Sequence, residues 1–176
     1  MTQDVFIAAG ARTPMGGLQG DLSSLTAVSL GQIAIEASLD RANVAGNDVD
    51  EVIMGCVLPS GLRQGPARQA AIDAGIPDSV GATTINKLCG SGMKAAMLAH
   101  DLIKAGTNQV MVAGGMESMS NAPYLVPKVR TGLRMGHGEL QDAMFTDGLE
   151  DAKTGRLMGS FAQEVADQYQ ISRAAA

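Results

Sequence analysis

Two cysteines and two histidines are the most reactive side chains in this 176-residue sequence, and the surroundings of Cys89 are those that could use one. Cys89 stands in Asn86-Lys87-Leu88-Cys89-Gly90-Ser91-Gly92-Met93-Lys94. The run before it, Val80-Gly81-Ala82-Thr83-Thr84-Ile85, is β-branched and small and reads as a buried strand. After it, Met93, Met97, Leu98 and Leu102 recur at helical spacing over residues 91–105, with Gly106 at the stop position. This pattern predicts a thiol at a helix N-terminus, where unpaired backbone N–H groups and the positive end of the helix dipole favour the thiolate. A thiolate is a nucleophile, and the flanking glycines leave the backbone bare enough for a substrate to approach. The Cys89 backbone N–H, at the opening of the helix, is also a candidate oxyanion donor, which is half of an oxyanion hole.

The other reactive side chains are placed less favourably. Cys56, in Met54-Gly55-Cys56-Val57-Leu58, is predicted to lie mid-strand and to pack in the core. His100 follows Cys89 by about 16 Å along the helix axis, too far for a Cys–His pair. His137 stands in Arg134-Met135-Gly136-His137-Gly138. The two cysteines fit no metal-ligand spacing and no disulfide framework, so no metal is expected.

Four strands are predicted around the Cys89 turn, over residues 5–9, 52–58, 80–86 and 110–114. The last three recur about every 29 residues, room for one helix between each pair, which reads as successive βαβ units. Helices are predicted over residues 27–42, capped by Thr26, over 66–74, with Pro66 in the first turn, and over 91–105. An α/β fold follows, with a mixed, mostly parallel sheet flanked by helices. Beyond Asn121 the composition shifts and sustained periodicity ends, which sets a domain of residues 1–120 apart from a second region of residues 121–176. In that region Ser160-Phe161-Ala162-Gln163 has the form of a capping box opening a helix, and Ser172 could cap another.

With 22 Gly, 11 Met and 3% aromatic residues, the core must be built from small and aliphatic side chains at close approach. A net charge of −5 argues against nucleic acid as a partner. No signal peptide and no apolar run long enough to cross a bilayer is visible, and a cytoplasmic, reducing environment is the default expectation.

The Cys89 turn, taken with Gly114-Gly115-Met116-Glu117-Ser118-Met119-Ser120-Asn121-Ala122-Pro123-Tyr124, closely resembles the thiolases, the acetyl-CoA acetyltransferase type in particular. Residues 5–14, Glu51-Val52-Ile53-Met54-Gly55 and Gly155-Arg156-Leu157-Met158-Gly159 extend the resemblance over the whole chain. It implies that Cys89 is acylated by an acyl-CoA, that the acyl group passes to the enolate of acetyl-CoA or the reverse, and that CoA is substrate and product rather than a cofactor. Leu149 and Met158 match positions lining the pantetheine channel, while Leu157 stands where short-chain biosynthetic members often carry histidine. CoA is anionic, and Lys128, Arg130, Arg134, Lys153 and Arg156 supply local positive charge. Glu117 and Asn121 are expected to hold the turn after the last strand by hydrogen bonds.

The resemblance further implies that residues 1–120 are a thiolase N-terminal domain lacking its last strand, and residues 121–176 an incomplete loop domain. The family's Gly-His-Pro histidine, its Asn-Glu motif and its second cysteine turn have no counterpart here. Thiolases pair subunits through their N-terminal sheets, so a homodimer or homotetramer is expected, or pairing with a separate C-terminal thiolase chain. A non-catalytic thiolase-like polypeptide that needs a partner chain is the alternative. A ketoacyl synthase, which also has a nucleophilic cysteine, matches the Cys89 turn and the stretch from Gly114 to Tyr124 less well.

Overall fold

The computed structural model describes residues 4–176, which divide into two compact units, residues 4–121 and Ala122–Ala176. In the first unit, three parallel strands, β1 (Glu51–Gly55), β2 (Gly81–Ile85) and β3 (Met111–Gly115), lie in the order β2-β1-β3. Their registers pair Glu51 with both Gly81 and Met111, and Gly55 with both Ile85 and Gly115, so the carboxyl ends of all three strands finish level at one edge. Three helices cover the sheet: α1 (Ala27–Ala42), α2 (Pro66–Asp73) and α3 (Ser91–Lys104).

Local sequence explains where these helices begin and end. The Thr26 hydroxyl accepts a hydrogen bond from the Ser29 N–H at 3.1 Å, and α1 buries Val28, Gly31, Ile35 and Leu39 along one stripe. It stops at Asn43, which is left-handed at φ 52°, with the Val44 N–H returning to the Leu39 carbonyl at 3.1 Å. Pro66 opens α2, and Gly106, at φ +75°, follows α3.

Strand alternation sorts the sheet's two faces. Val52, Met54 and Cys56 join Ile35, Leu39, Ala67 and Ala70 in the main core, under α1 and α2. Gly55 points to the opposite face, where α3 lies so close that a Cβ added to Gly55 would come within 2.5 Å of the Ser91 Cβ. This contact decides which side of α3 is buried. Ser91 and Ala95 face the sheet, while Met93 and Met97, which the spacing placed on the apolar stripe, are 71% and 53% exposed. Only small side chains fit a helix resting on glycine backbone, so the long ones are turned outward.

Residues 5–9 do not form the predicted strand, and Phe6 and Ile7 stand 82% and 93% exposed. Composition gave that segment a strand's character, but a strand exists by pairing, and no ladder partner meets it among the described residues. The segment's recorded anchor is the Arg41 guanidinium, which donates to the Gly10 carbonyl at 2.7 Å.

In the second unit, β4 (Tyr124–Leu125) pairs antiparallel with β5 (Gln141–Asp142), a π-helical turn spans Phe145–Leu149, and α4 covers Met158–Gln168. The predicted capping box is not the start of α4. The helix opens three residues earlier, with Leu157 rather than Ser160 at the N-cap, because an antiparallel bridge between Glu150 and Leu157 already sets the chain's entry. Ser172 closes only a turn, with the Ala175 N–H donating to its carbonyl at 3.0 Å.

Candidate functional site

The edge where the three parallel strands end is where an open α/β sheet leaves room for a ligand, since the following loops diverge there. Cys89 stands in the connection from β2 to α3 at this edge, with its side chain exposed. The helix itself starts at Ser91 with Gly90 as N-cap, so Cys89 lies one residue ahead of the cap rather than inside the first turn.

The residue before it, Leu88, is left-handed at φ 50°. Leucine in this region costs about 1–2 kcal/mol, so the surrounding hydrogen bonds must hold it there. The Leu88 N–H donates to the Asn86 Oδ1 at 2.9 Å. Its carbonyl accepts from the Ser91 Oγ at 2.6 Å and from the Ser91 N–H at 2.9 Å. The same Ser91 Oγ accepts the Lys87 N–H at 2.8 Å, and the Gly90 N–H closes the turn on the Lys87 carbonyl at 3.2 Å.

This turn is tied to its neighbours. The Asn86 Nδ2 donates to the Val57 carbonyl at 3.3 Å. Beyond β3, the Glu117 carboxylate accepts the Val57 N–H at 2.8 Å and the Leu58 N–H at 3.0 Å. Glu117 therefore holds the loop after β1 rather than its own turn. Asn121 likewise reaches across sequence, its Nδ2 donating to the carbonyls of Ser23 and Leu25, both at 2.9 Å, and to the Ser118 Oγ at 2.8 Å.

Cys56 is not mid-strand; it is the first residue past β1, 1% exposed, and its Sγ lies 3.6 Å from the Glu117 Oε1. Burial and the adjacent Glu117 carboxylate push its thiol up to about 12, so it stays protonated and inert. His100 is exposed and meets the Asp101 carboxylate at 3.1 Å, and His137 is exposed in the second unit. Among the described residues no three His, Cys, Asp or Glu side chains gather to hold a metal ion.

The other sequence-selected residues belong to the second unit. Leu149, half-buried, ends the π-helical turn, and Met158, 43% exposed, opens α4; the bridge between Glu150 and Leu157 joins the chain just after the one to the chain just before the other. Between the bridged residues the Asp151 carboxylate accepts from the Thr154 Oγ1 at 2.7 Å and the Thr154 N–H at 2.8 Å, which hold its carboxyl below the usual range. Arg156 lies over the Phe161 ring at 4.4 Å and pairs with Glu164, so this cation is engaged within its own unit. Lys128, Arg130, Arg134 and Lys153 are exposed.

Sequence reasoning located Cys89 but missed the residues that shape its turn. Asn86 and Ser91 carried a usable signal, because Asn and Ser are residues whose side chains bond the backbone of a tight turn. The left-handed Leu88 carried none.

Three comparisons bear on this arrangement. The family model described as "Thiolase, N-terminal domain" matches residues 5–176. "Acetyl-CoA acetyltransferase 2" of Arabidopsis thaliana is 54% identical over 97% of this chain and 42% of its own length. "Acetyl-CoA acetyltransferase" of Schizosaccharomyces pombe is 49% identical over 97% of this chain and 43% of its own. Among solved structures, the Acat5 thiolase from Ascaris suum in complex with coenzyme A matches with a TM-score of 0.91 and 38% identity, over 98% of this chain and 44% of that one. The chain thus spans less than half the length of these relatives.

Proposed function

Because the chain belongs to the thiolase family, we propose that it carries the nucleophile half of an acetyl-CoA acetyltransferase, with Cys89 as the residue that takes the acyl group. Its parallel sheet with helices on both faces is the thiolase fold. On this reading residues 1–120 are the N-terminal domain without its last strand, and residues 121–176 are part of the loop domain. The single observation that carries the proposal is the exposed thiol at the carboxyl edge of the sheet, on a strained turn leading into α3.

In the proposed reaction the Cys89 thiolate attacks the carbonyl carbon of an acyl-CoA, forming a C–S bond and a tetrahedral oxyanion. The Cys89 backbone N–H is the donor this chain offers to that oxyanion. Collapse breaks the bond to CoA, which leaves as a thiolate and takes up a proton. The acyl-Cys89 then passes its acyl group to the enolate of acetyl-CoA, giving acetoacetyl-CoA when the acyl group is acetyl and regenerating the cysteine; thiolytic cleavage of a 3-ketoacyl-CoA is the same path reversed. CoA thioesters are the substrates, a chemistry of lipid metabolism, with no metal and no separate cofactor. Leu149 and Met158 would lie along the pantetheine arm, where a thioether and a branched alkyl chain suit an apolar, flexible ligand.

A homodimer or homotetramer, or pairing with a separate C-terminal thiolase chain, would complete the assembly. Two free cysteines fit a cytoplasmic setting. The second reading is a non-catalytic thiolase-like subunit that needs a partner chain to supply a base for Cys89.

Incubating the chain with acetyl-CoA and mapping its peptides by mass spectrometry separates the two readings. An acetyl group on the Cys89 peptide, absent in Cys89→Ala, is the expected result. No adduct on Cys89 at saturating acetyl-CoA would favour the non-catalytic subunit.

A further inference from the structure

We propose that Ser91 and Asn86 are positioning residues for Cys89, acting together as a brace that holds Leu88 left-handed so that the next residue presents its thiol outward; this rests on Cys89 being the nucleophile. Of the six non-glycine residues with positive φ among those described, Gln19, Asn43, Arg63, Leu88, Lys128 and Gln170, Leu88 is the apolar one. Its side chain is 56% exposed, so packing does not hold it in that conformation. What holds it is its backbone. Asn86 takes the Leu88 N–H at 2.9 Å, and the Ser91 hydroxyl takes the Leu88 carbonyl at 2.6 Å.

Ser91 is the one buried polar residue among those described, 4% exposed, and its hydroxyl is fully engaged, donating to Leu88 and accepting from Lys87. The sheet fixes its position, because Gly55 has no side chain to keep Ser91 away. Asn86 is anchored in turn: its amide donates to Val57, whose N–H is held by Glu117 at the end of β3. The brace therefore takes its geometry from the ends of all three strands. Without the Ser91 hydroxyl, the Leu88 carbonyl loses a donor, the Lys87 N–H is left unpaired, and the leucine relaxes toward negative φ, swinging Cys89 with it.

The test uses the 176-residue chain and the rate at which iodoacetamide alkylates Cys89. Ser91→Ala is expected to slow that rate about fivefold, the ratio that relief of a left-handed leucine gives. Adding Leu88→Asn to Ser91→Ala should restore most of the rate, because asparagine tolerates the left-handed region without the brace. A role in packing alone would show no such rescue. Hydrogen exchange at the Lys87 amide should quicken in Ser91→Ala and not within β2. If Ser91→Ala does not fold, Leu88→Asn by itself decides: the brace predicts a higher urea midpoint, and a lower one overturns it. An alkylation rate in Ser91→Ala equal to the parent's, or a double variant as slow as the single one, also overturns it. Failure of the parent chain to take an acetyl group from acetyl-CoA would instead overturn the nucleophile reading and leave the brace standing.

Discussion

At the residue scale the chain carries two cysteines in opposite circumstances. Cys89 is exposed at the sheet's edge, while Cys56 is buried beside Glu117 with its thiol pushed up to about 12. Iodoacetamide near neutral pH should label Cys89 and leave Cys56 untouched until denaturant is added; peptide mapping over a time course checks this, and early labelling of Cys56 would contradict the fold at that position. The raised value also has a consequence for stability. A thiol that ionises near 9.0 in the unfolded chain and near 12 in the folded one leaves the folded state holding the extra proton between those values. Its contribution is complete below pH 9.0 and is lost progressively as pH rises toward 12. Urea midpoints measured from pH 8 to 10.5 should therefore fall more steeply for the parent than for Cys56→Ala, which has nothing to titrate there.

At the element scale, the approach of α3 to the sheet is the feature on which the site depends. A methyl group at Gly55 would come 2.5 Å from the Ser91 Cβ, 2.7 Å from the Ser91 carbonyl carbon and 2.9 Å from the Gly92 nitrogen. Two of these are backbone atoms that cannot turn aside. Gly55→Ala is expected to cost about 2 kcal/mol or more, measurable by urea unfolding, and to slow Cys89 alkylation because it displaces Ser91. Glu117 couples two elements, since its carboxylate takes the N–H groups of Val57 and Leu58 where the chain leaves β1. Glu117→Ala should cost about 2–3 kcal/mol, because it strands donors that no other group is placed to accept. An unchanged unfolding midpoint would mean that water replaces the carboxylate. By contrast, Thr26→Ala removes an exposed N-cap and should cost only about 1 kcal/mol.

Taken whole, the chain leaves apolar side chains and strand edges exposed. Met93, Met97, Phe6 and Ile7 are exposed, and β2 and β3, the outer strands of the sheet, each have an unpaired edge among the described residues. Association is the expected consequence, read by light scattering as a mass that rises with concentration, and a stable monomer at tens of micromolar would count against it. No helix among the described residues is long and apolar enough to cross a membrane. These 176 residues purified by themselves are not expected to cleave acetoacetyl-CoA at a useful rate, because the Gly-His-Pro histidine that the thiolase resemblance implies is not among them, and loss of a general base costs about 10²- to 10⁴-fold. Robust thiolysis, abolished by Cys89→Ala, would show that the proposed division of the catalytic machinery is wrong.

Much of this was legible in the sequence because it is local. Thr26, Pro66 and Gly106 mark helix limits by their own backbone chemistry, and the β-branched runs before Cys56 and Cys89 set two strands at nearly their true places. The strand–turn–helix setting of Cys89, and hence its candidacy as a nucleophile, followed from residue types within a few positions. Tertiary structure decided what depends on partners distant in sequence. Residues 5–9 have a strand's composition but no ladder to join among the described residues, and Met93 and Met97 have a core's hydrophobicity but face outward, because glycine backbone admits only small residues, Ser91, Ala95 and Ala99, on the buried side of α3. The brace on Leu88 is of the same kind. Asn86 and Ser91 are near neighbours, but Val57, Glu117 and Gly55, which fix them, come from two other strand ends, and only the folded sheet brings those ends level.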